Sequence, residues 1–308
     1  MSDSTPTSYL YLRGYYMRRY SVLVPLLFLL PAMGILFFLQ FFVWSWNLNI
    51  ALHDVTLMNF HQEWDFVGLQ NFVEVFTDPA TLASLKNTAI FTIGSVTLQM
   101  FIGTSISYFL YRADSAVEKF FRPIIIIPWL SSVVVAAFSW RLMAAKNIGF
   151  INRIIEAVGL PRINFLGNGT AAMTLVIVAS VWWGTPFVIL LLSSGMTSIS
   201  PQLVEVAKID GASEWIFFTR VALPILLPFL VVALILTTVW AFNQFSLILL
   251  LTNGGPLNAT KVFPLHGYQA AFDLGEFSYG SAVSLGALAM NLILVYIYIK
   301  VSGVEFAD

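Results

Sequence analysis

The chain has 308 residues, of which 58% are hydrophobic and only 10% are charged. A soluble domain usually carries about 25% charged residues, so the surface of this protein cannot face water everywhere. The net charge of −1 gives no reason to expect nucleic acid as a partner, and the absence of cysteine excludes disulfide bonds and thiolate chemistry. The lipid bilayer is the remaining solvent.

Six apolar runs are long enough to cross a bilayer as helices, and none of them contains Asp, Glu, Lys or Arg. A spanning helix needs about 20 apolar residues, whereas a barrel strand needs only about 10 with an alternating pattern. The sequence therefore predicts an all-α integral membrane protein. Its predicted spans are Ser21 to Trp44, Thr88 to Tyr111, Pro123 to Trp140, Ala171 to Gly195, Val221 to Leu251 and Gly280 to Ile299.

Charged residues beside the spans predict the orientation, because cytoplasmic loops carry an excess of Lys and Arg. Three arginines lie between residues 13 and 19, before the first span, whereas the loop 45–84 holds five acidic residues and no Lys or Arg. We therefore expect both termini to be cytoplasmic. The loop after the third span argues the other way, since it carries Lys146, Arg153 and Arg162 on the predicted outer side.

One charged stretch separates the fourth and fifth spans, EVAKIDGASEWIFFTRVALPILLP at residues 205–228. A helix over 201–209 is predicted, which overlaps the start of this stretch. Ser200 can accept hydrogen bonds from its free N–H groups, and proline is tolerated at the first helical position. Gly211 then allows a bend, since glycine adopts backbone angles that other residues resist. Ser213 can cap a second helix that leads into the fifth span.

Two interpretations of this bent pair are open from the pattern alone. It could be an amphipathic hairpin lying in the headgroup region, or a protruding elbow that docks on a partner. The first helix is expected to carry Leu203, Val206 and Ala207 on one face. The bend favours docking, and so does the excess of acidic over basic residues, because anionic lipid repels carboxylates.

The stretch resembles the EAA loop of permease subunits in bacterial ABC importers, whose pattern is roughly E-A-A-x-x-D-G-A followed by phenylalanine and proline. Val206 departs from it, with valine where alanine is usual. The resemblance implies the type I ABC importer fold, with six transmembrane helices and a cytoplasmic coupling helix that seats in a partner ATPase. The ATPase-coupling positions it implies are Glu205, Ala207, Asp210, Gly211, Ala212, Phe218 and Pro224.

Three further segments resemble the same family. Phe66 to Phe72 is similar to its outer-loop motif F-V-G-L-x-N-Y, and Asn87-Thr88 is similar to the N-T at the start of its core. Leu251 to Pro256, LTNGGP, followed by Thr260, resembles the L-T-x-G-G-P-x-x-x-T of sugar-importer permeases. This last motif favours the maltose F-type member of a heterodimeric pair. The two extra N-terminal spans and the large outer domain of the enterobacterial F subunit are not seen.

The resemblance implies an organisation for the whole chain in the inner (cytoplasmic) membrane of a prokaryote. In order, it consists of a cytoplasmic N-terminal segment (1–20), a first transmembrane helix (21–44), an extracytoplasmic loop (45–84), a permease core (85–301) with the coupling loop 197–222, and a cytoplasmic tail (302–308). The implied partners are a second permease, two cytoplasmic ATPases, an extracytoplasmic sugar-binding protein and lipid. The chain itself would hold no cofactor, because ATP and Mg²⁺ would bind the ATPases.

A sugar site is expected where flat aromatic rings lie beside amides and hydroxyls, since sugars present C–H faces and many hydroxyl groups. Two spans offer this combination, and both resemble the sugar-contacting segments of the maltose F-type subunit. Thr237, Trp240, Ala241 and Gln244 are expected to share one helical face. The substrate-binding positions implied are Trp183, Gly184, Phe187, Thr237, Trp240, Ala241, Gln244 and Ser246. Helix–helix packing is the alternative role for the same side chains.

Ala241 departs from the maltose subunit, which has a hydrogen-bonding asparagine there, and this argues against maltose itself. The absence of Lys and Arg from the spans also disfavours a phosphorylated solute. A di- or oligosaccharide is the expected substrate class.

An ion-coupled carrier, a membrane enzyme and a membrane subunit without a transport path are the alternatives to an importer. No G-x-x-x-x-G-K-[ST] occurs, so the chain does not bind a nucleotide by that motif. An ion-coupled carrier needs ionisable or coordinating groups at mid-membrane, and a membrane enzyme needs convergent acid–base or metal groups; the spans offer neither a carboxylate nor a histidine. His53, His61 and His266 fall in predicted outer loops without metal-ligand spacing. A membrane subunit without a transport path is the remaining alternative.

Overall fold

A computed structural model of the chain describes the backbone of residues 7–302 and the side chains of residues 24–301. The predicted N-terminal segment (1–20) is thus described only from Thr7, and the predicted tail (302–308) only at Ser302. The chain divides into two units, one formed by residues 1–50 and the other beginning at Ala51.

The first unit is made of helix α1 (Thr7–Ala51), which extends beyond the predicted span 21–44 at both ends. Side chains from Val24 to Trp46 are exposed, and the sequence there is apolar on every face. Aromatic rings four residues apart stack along the helix, with centroids 5.8 Å apart for Phe37 and Phe41. A helix that is hydrophobic all round belongs in lipid or against other apolar helices.

The second unit holds a short antiparallel ribbon and the remaining helices. The ribbon pairs β1 (His53–Asp54) with β2 (Asp65–Phe66). The helices are α2 (Gln70–Thr77), α3 (Pro79–Arg112), α4 (Ser115–Leu130), α5 (Val133–Met143), α6 (Phe150–Ala157), α7 (Gly169–Met196), α8 (Pro201–Ile209), α9 (Glu214–Phe217), α10 (Leu223–Phe242), α11 (Ser246–Thr252), α12 (Phe263–Phe272) and α13 (Phe277–Ser302). A π-helical turn (Phe218–Ala222) joins α9 to α10.

Helices α3 and α7 form the centre of this unit, and small residues let them approach closely. A Cβ atom added to Gly103 of α3 would lie 2.5 Å from Val188 Cγ1 of α7. Between them, the Ser107 hydroxyl donates to Ile189 O across the interface at 3.1 Å. Small residues and interhelical hydrogen bonds are the usual means of association between helices in lipid, where hydrophobic burial gives no driving force.

The third predicted span, Pro123 to Trp140, is wrong as a single straight helix. Helix α4 ends at Leu130 and α5 starts at Val133, and the two axes differ by 96°. Proline at 128 removes a backbone donor near the end of α4, and the Ser132 hydroxyl accepts from Val134 N (3.3 Å) to begin a new helix. Five helices among the described residues are long and apolar enough to span a membrane, or six if this bent pair is one span.

The fifth predicted span, Val221 to Leu251, is also interrupted. Helix α10 ends at Phe242, and α11 begins only at Ser246. The side chain of Asn243 bonds back to Val239 O (2.8 Å) and also pairs with Asn291 of α13, at 3.2 and 3.3 Å. Local bonding by an asparagine side chain competes with continuation of a helix, which accounts for the break.

Residues of the predicted outer-loop and core motifs hold loops in place. Asn87 donates to Asn258 O (2.9 Å) and to Lys261 O (3.1 Å), and the Thr88 hydroxyl accepts from Phe263 N (2.7 Å) at the start of α12. Asn71 does the same for the chain after α1, donating to His53 O at 3.1 Å. These residues satisfy backbone groups that the loops would otherwise leave without partners.

Candidate coupling loop and solute path

The helix predicted over 201–209 is present as α8, with the predicted cap. The Ser200 hydroxyl accepts from Leu203 N (3.4 Å), and Pro201 occupies the first turn. The predicted face that carries Leu203, Val206 and Ala207 is only partly packed, since Leu203 and Val206 are exposed. Val204 and Ala207 pack inward on a cluster around Phe217, while the other face of α8 is open.

The exposed side of α8 carries both apolar and charged residues. Leu203 and Val206 are 43% and 54% exposed, and Ile209 at the end of the helix is 84% exposed. Glu205 is also exposed. An exposed apolar patch bordered by polar residues is typical of a surface that binds a partner or a membrane.

The elbow after α8 is a Schellman motif, and this explains three of the predicted coupling positions. Gly211 has φ +70° in the left-handed region. Its N–H donates to Lys208 O (3.1 Å), and Ala212 N–H donates to Ala207 O (2.9 Å). This pair of bonds satisfies the last carbonyls of a helix and requires a residue that tolerates positive φ. Asp210 is the last residue before the turn and is exposed.

After the elbow, the chain continues through α9 to the long apolar helix α10. As predicted, the Ser213 hydroxyl caps this helix by accepting from Ile216 N at 3.3 Å. Phe217 is buried, and Phe218 packs its ring edge-to-face with Tyr108 of α3, with centroids 4.8 Å apart. Pro224 lies in the first turn of α10, where a missing N–H group is best tolerated.

Glu214 is the most connected charged residue of this loop. It forms an ion pair with Arg112, and it accepts a hydrogen bond from the Tyr108 hydroxyl at 2.8 Å. Both partners belong to the last turns of α3. Sequence reasoning missed these contacts because Tyr108 and Arg112 precede Glu214 by about a hundred residues; only the basic end of the second predicted span could have indicated them.

Three aromatic side chains from different helices meet beside the interrupted spans. Phe187 of α7 contacts Trp240 of α10 edge-to-face, with ring centroids 4.6 Å apart. The ring centroid of Trp129 in α4 lies 6.0 Å from that of Phe187. Two of these residues were predicted, and Trp129 was missed, although it follows Pro128 at the point where α4 ends. We call Trp129, Phe187 and Trp240 the aromatic cluster.

Trp183 and Gly184 have structural roles beside this cluster. Trp183 Nε1 donates to Ser131 O (3.2 Å), which ties α7 to the break between α4 and α5. Gly184 leaves room for the buried amide of Gln99, because an added Cβ would lie 2.9 Å from Gln99 Nε2. That amide donates to Ser180 O at 3.2 Å. The sequence signal for Gln99 was an amide in an otherwise apolar span.

The remaining predicted substrate positions are not on one helical face. Thr237 is buried and donates to Ala233 O (2.7 Å), and Ala241 is buried in the core of the unit. Gln244 and Ser246 lie beyond the end of α10 and are half-buried. The predicted face shared by residues 237, 240, 241 and 244 is therefore wrong, because the helix ends at Phe242 before reaching Gln244.

A polar network joins the other ends of α3, α12 and α13. The Tyr279 hydroxyl donates to Asp78 (3.0 Å), and His266 Nε2 lies 3.0 Å from the Thr81 hydroxyl and 3.8 Å from Asp78. Burial acts to raise the pKa of Asp78, but hydrogen bonds from Ala80 N–H and from these side chains outweigh it and hold the pKa below its usual value. Burial, with Lys261 nearby, lowers the pKa of His266.

Known proteins share both the sequence and the fold of this chain. Residues 99–302 match the family described as binding-protein-dependent transport system inner membrane component. A trehalose/maltose transport system permease protein, MalF of Thermococcus litoralis, is 36% identical over 253 residues, covering 82% of this chain and 84% of its own. The trehalose transport system permease protein SugA of Mycobacterium tuberculosis is 30% identical over 238 residues, covering 77% and 75%.

A solved bacterial ABC transporter for import of the acidic polysaccharide alginate has a chain with the same fold, with a TM-score of 0.78 over 96% of this chain and 99% of that one, at 22% identity. The fold is therefore that of an ABC importer permease, as predicted. The family match covers more than half of the chain and includes α8 and the elbow after it, and its members are transport components and not enzymes. The chain belongs to the family of binding-protein-dependent transport system inner membrane components.

Proposed function

We propose that this chain is one of two permease subunits in an ATP-driven importer of a di- or oligosaccharide. Its partners would be a second permease, two cytoplasmic ATPases that bind ATP and Mg²⁺, and an extracytoplasmic sugar-binding protein. Both termini and the coupling loop would lie on the cytoplasmic side. The single observation that carries the proposal is the open face of α8, held at a fixed angle by the elbow at Gly211.

The chemistry of that face suits a protein socket better than a lipid surface. Leu203, Val206 and Ile209 supply apolar area that a groove can bury, and the exposed Glu205 of the same helix supplies a carboxylate that a basic residue can pair with. In an amphipathic helix lying on anionic lipid, basic residues are expected beside the apolar face. The exposed charged residues of α8 and the turn after it are Glu205, Lys208 and Asp210, so acidic groups outnumber the single basic group.

The aromatic cluster supports a sugar as the solute. Trp240 is 46% and Trp129 is 37% exposed, so both rings present open faces at breaks in their helices. Breaks in a spanning helix free backbone carbonyls and N–H groups at membrane depth, where they can bond solute hydroxyls. Relatives named as permeases for trehalose/maltose, trehalose and diacetylchitobiose point to the same class of solute.

In the proposed cycle, no covalent step belongs to this chain. The ATPases would close on ATP and displace α8, and the helices joined to it would open the path toward the binding protein. The sugar would then pass the aromatic cluster in steps of exchange between rings and hydroxyl-bonding groups. Release inward would follow when the ATPases separate.

The test is ATP-dependent uptake in proteoliposomes that contain the complete complex, with the binding protein and a panel of labelled sugars outside. We expect uptake of at least one di- or oligosaccharide, and we expect Trp240→Ala to raise the KM for it. Loss of one aromatic contact costs about 0.5–1.5 kcal/mol beyond the loss of buried area, which corresponds to roughly a threefold to tenfold rise in KM.

Trp182→Ala is the matched control, because Trp182 lies on the same helix as Phe187 but pairs with Trp140, away from the cluster. Equal KM values for both variants would contradict the solute path. Absence of ATP-dependent uptake of any sugar by the wild-type complex would contradict the proposed function.

A further inference from the structure

The end of α3 holds the loop after the coupling elbow by contacts with three of its residues. Tyr108 donates its hydroxyl proton to Glu214 (2.8 Å) and meets the ring of Phe218 at 4.8 Å between centroids. Arg112, one turn later on α3, pairs with Glu214 and places its guanidinium 5.6 Å from the ring centroid of Phe217. We call these five residues the α3 clamp.

The α3 clamp lies close to the elbow in the chain, so a movement of α8 is expected to act on it. Glu214 is the first residue of α9, only a few residues after the elbow at Gly211. Phe217 belongs to a buried cluster with Met196 at the end of α7 and Leu226 of α10. The α3 clamp therefore connects the loop that carries α8 to three long helices of the second unit, α3, α7 and α10.

The contribution of the ion pair to stability is expected to be small. The Glu214 side chain is 63% exposed and that of Arg112 is 28% exposed, and ion pairs in contact with solvent contribute little to folding. A π-helical turn begins at Phe218, which is itself a residue of the α3 clamp, and such turns are often found at functional positions. The arrangement fixes geometry more than it adds stability.

We propose that Glu214 is a positioning residue for coupling, which makes α3 follow the displacement of the elbow by the ATPase. This rests on the proposed function. Without the carboxylate, the chain between Gly211 and Phe218 can change its angle while α3 stays in place. Basal ATP hydrolysis would then continue, but it would respond less to the sugar-loaded binding protein, and less sugar would be transported per ATP.

The experiment compares Glu214→Gln and Tyr108→Phe with the wild type in the complete reconstituted complex. Glu118→Gln is the matched control, because it breaks a carboxylate–arginine pair with Arg122 within α4, at 3.2 Å, away from the elbow. The measurements are the yield of assembled complex, the stimulation of ATP hydrolysis by the sugar-loaded binding protein, and the sugar transported per ATP.

We expect normal assembly and a fall of at least about fivefold in stimulation for Glu214→Gln, since coupling between sites is typically of this size or larger. Tyr108→Phe should show a smaller fall, and Glu118→Gln none. The exchanged pair Arg112→Glu with Glu214→Arg should recover part of the sugar transported per ATP.

Undiminished stimulation in both variants would overturn the proposal. Loss of assembly in both would also overturn it, since the contacts would then serve the fold and not the coupling. A wild-type complex whose ATP hydrolysis does not respond to the binding protein would instead contradict the proposed function.

Discussion

Gly103 sets the distance between the two central helices. Its missing side chain lets the backbone of α3 approach Val188 of α7, and the neighbouring Ser107 hydroxyl bonds Ile189 O from this close position. Valine is branched at Cβ and cannot rotate out of the way as a long side chain would. The contact therefore depends on a residue without a Cβ atom.

We expect Gly103→Ala to destabilise the packing of α3 against α7 by about 1–3 kcal/mol, the usual cost of overfilling a packed interface. Adding Val188→Ala should restore most of the loss, because it removes the atoms that clash. Thermal unfolding of the purified protein in detergent measures both effects. Gly34→Ala is the control, since a Cβ there would meet nothing within 4 Å. An unchanged transition in Gly103→Ala would contradict this account of the interface.

His266 gives the polar network around Asp78 and Tyr279 a dependence on pH. Its pKa is lowered by burial and by Lys261, while Asp78 acts against them. A histidine whose pKa is lower in the folded protein binds a proton less readily there than in the unfolded chain, so folding stability falls as the pH drops below about 6.5, the ordinary pKa of histidine. Asp78 has a lowered pKa as well, so its contribution is lost only at more acidic pH.

We therefore expect the unfolding temperature to fall between pH 8 and pH 5.5, and His266→Gln to remove part of that fall. Glutamine keeps a hydrogen-bonding group for the Thr81 and Tyr279 hydroxyls without the titration. His61→Gln, in an exposed loop, is the control and should keep the wild-type profile. If His266→Gln keeps the same profile, the network does not titrate through this histidine.

At the scale of elements, the coupling elbow could be predicted from sequence because its signals are local. Ser200 and Pro201 start α8, Gly211 ends it, and Ser213 starts the next helix, each by a bond to a near neighbour in the chain. Which face of α8 packs could not be predicted, since Val204 and Val206 are chemically alike. Contacts with residues from other helices decide it.

The two helix breaks were not predicted, although each has a local signal, Pro128 with Ser132 in one and Asn243 in the other. Ser131-Ser132 and Asn243-Gln244 are uncharged and lie between strongly apolar residues, so hydropathy sees one span in each place. The break after α10 involves Asn291 of α13, and the break after α4 involves Trp183 of α7. Residues such as Trp129 and Gln99 joined the candidate site only through these long-range contacts.

The elbow itself predicts a specific order of substitutions at Gly211. Its φ of +70° costs a residue with a Cβ atom about 1–2 kcal/mol, while asparagine adopts this region more readily. We expect Gly211→Ala to reduce stimulated ATP hydrolysis more than Gly211→Asn does. Gly159→Ala is the control, because Gly159 also has a positive φ and open space around it but lies after α6. Full stimulation in Gly211→Ala would contradict a fixed elbow.

For the whole molecule, family membership decides between the functions that the sequence left open. A binding-protein-dependent transport component is neither an ion-coupled carrier nor a membrane subunit without a transport path. The orientation in the membrane stays a prediction from the distribution of Lys and Arg.

Cysteines introduced into this cysteine-free chain can test that orientation. One at Thr56, in the acidic loop, should react with an impermeant thiol reagent in intact cells, because that loop is expected outside. One at Ser213, beside the elbow, should react only after the cells are opened. A cysteine at Ser2, outside the described residues, should behave like Ser213. The opposite pattern at Thr56 and Ser213 would reverse the orientation and remove the docking argument.

The central claim is that the open face of α8 binds the ATPase, and site-specific photocrosslinking tests it most directly. A photoreactive residue at Ile209, which is 84% exposed, should crosslink to the ATPase subunit in membranes that contain the whole complex. The same photoreactive residue placed at Leu257, which is fully exposed and lies on the predicted outer side, should not crosslink to the ATPase. A crosslink from Leu257 to the ATPase, or none from Ile209 in an assembled complex, would contradict the account.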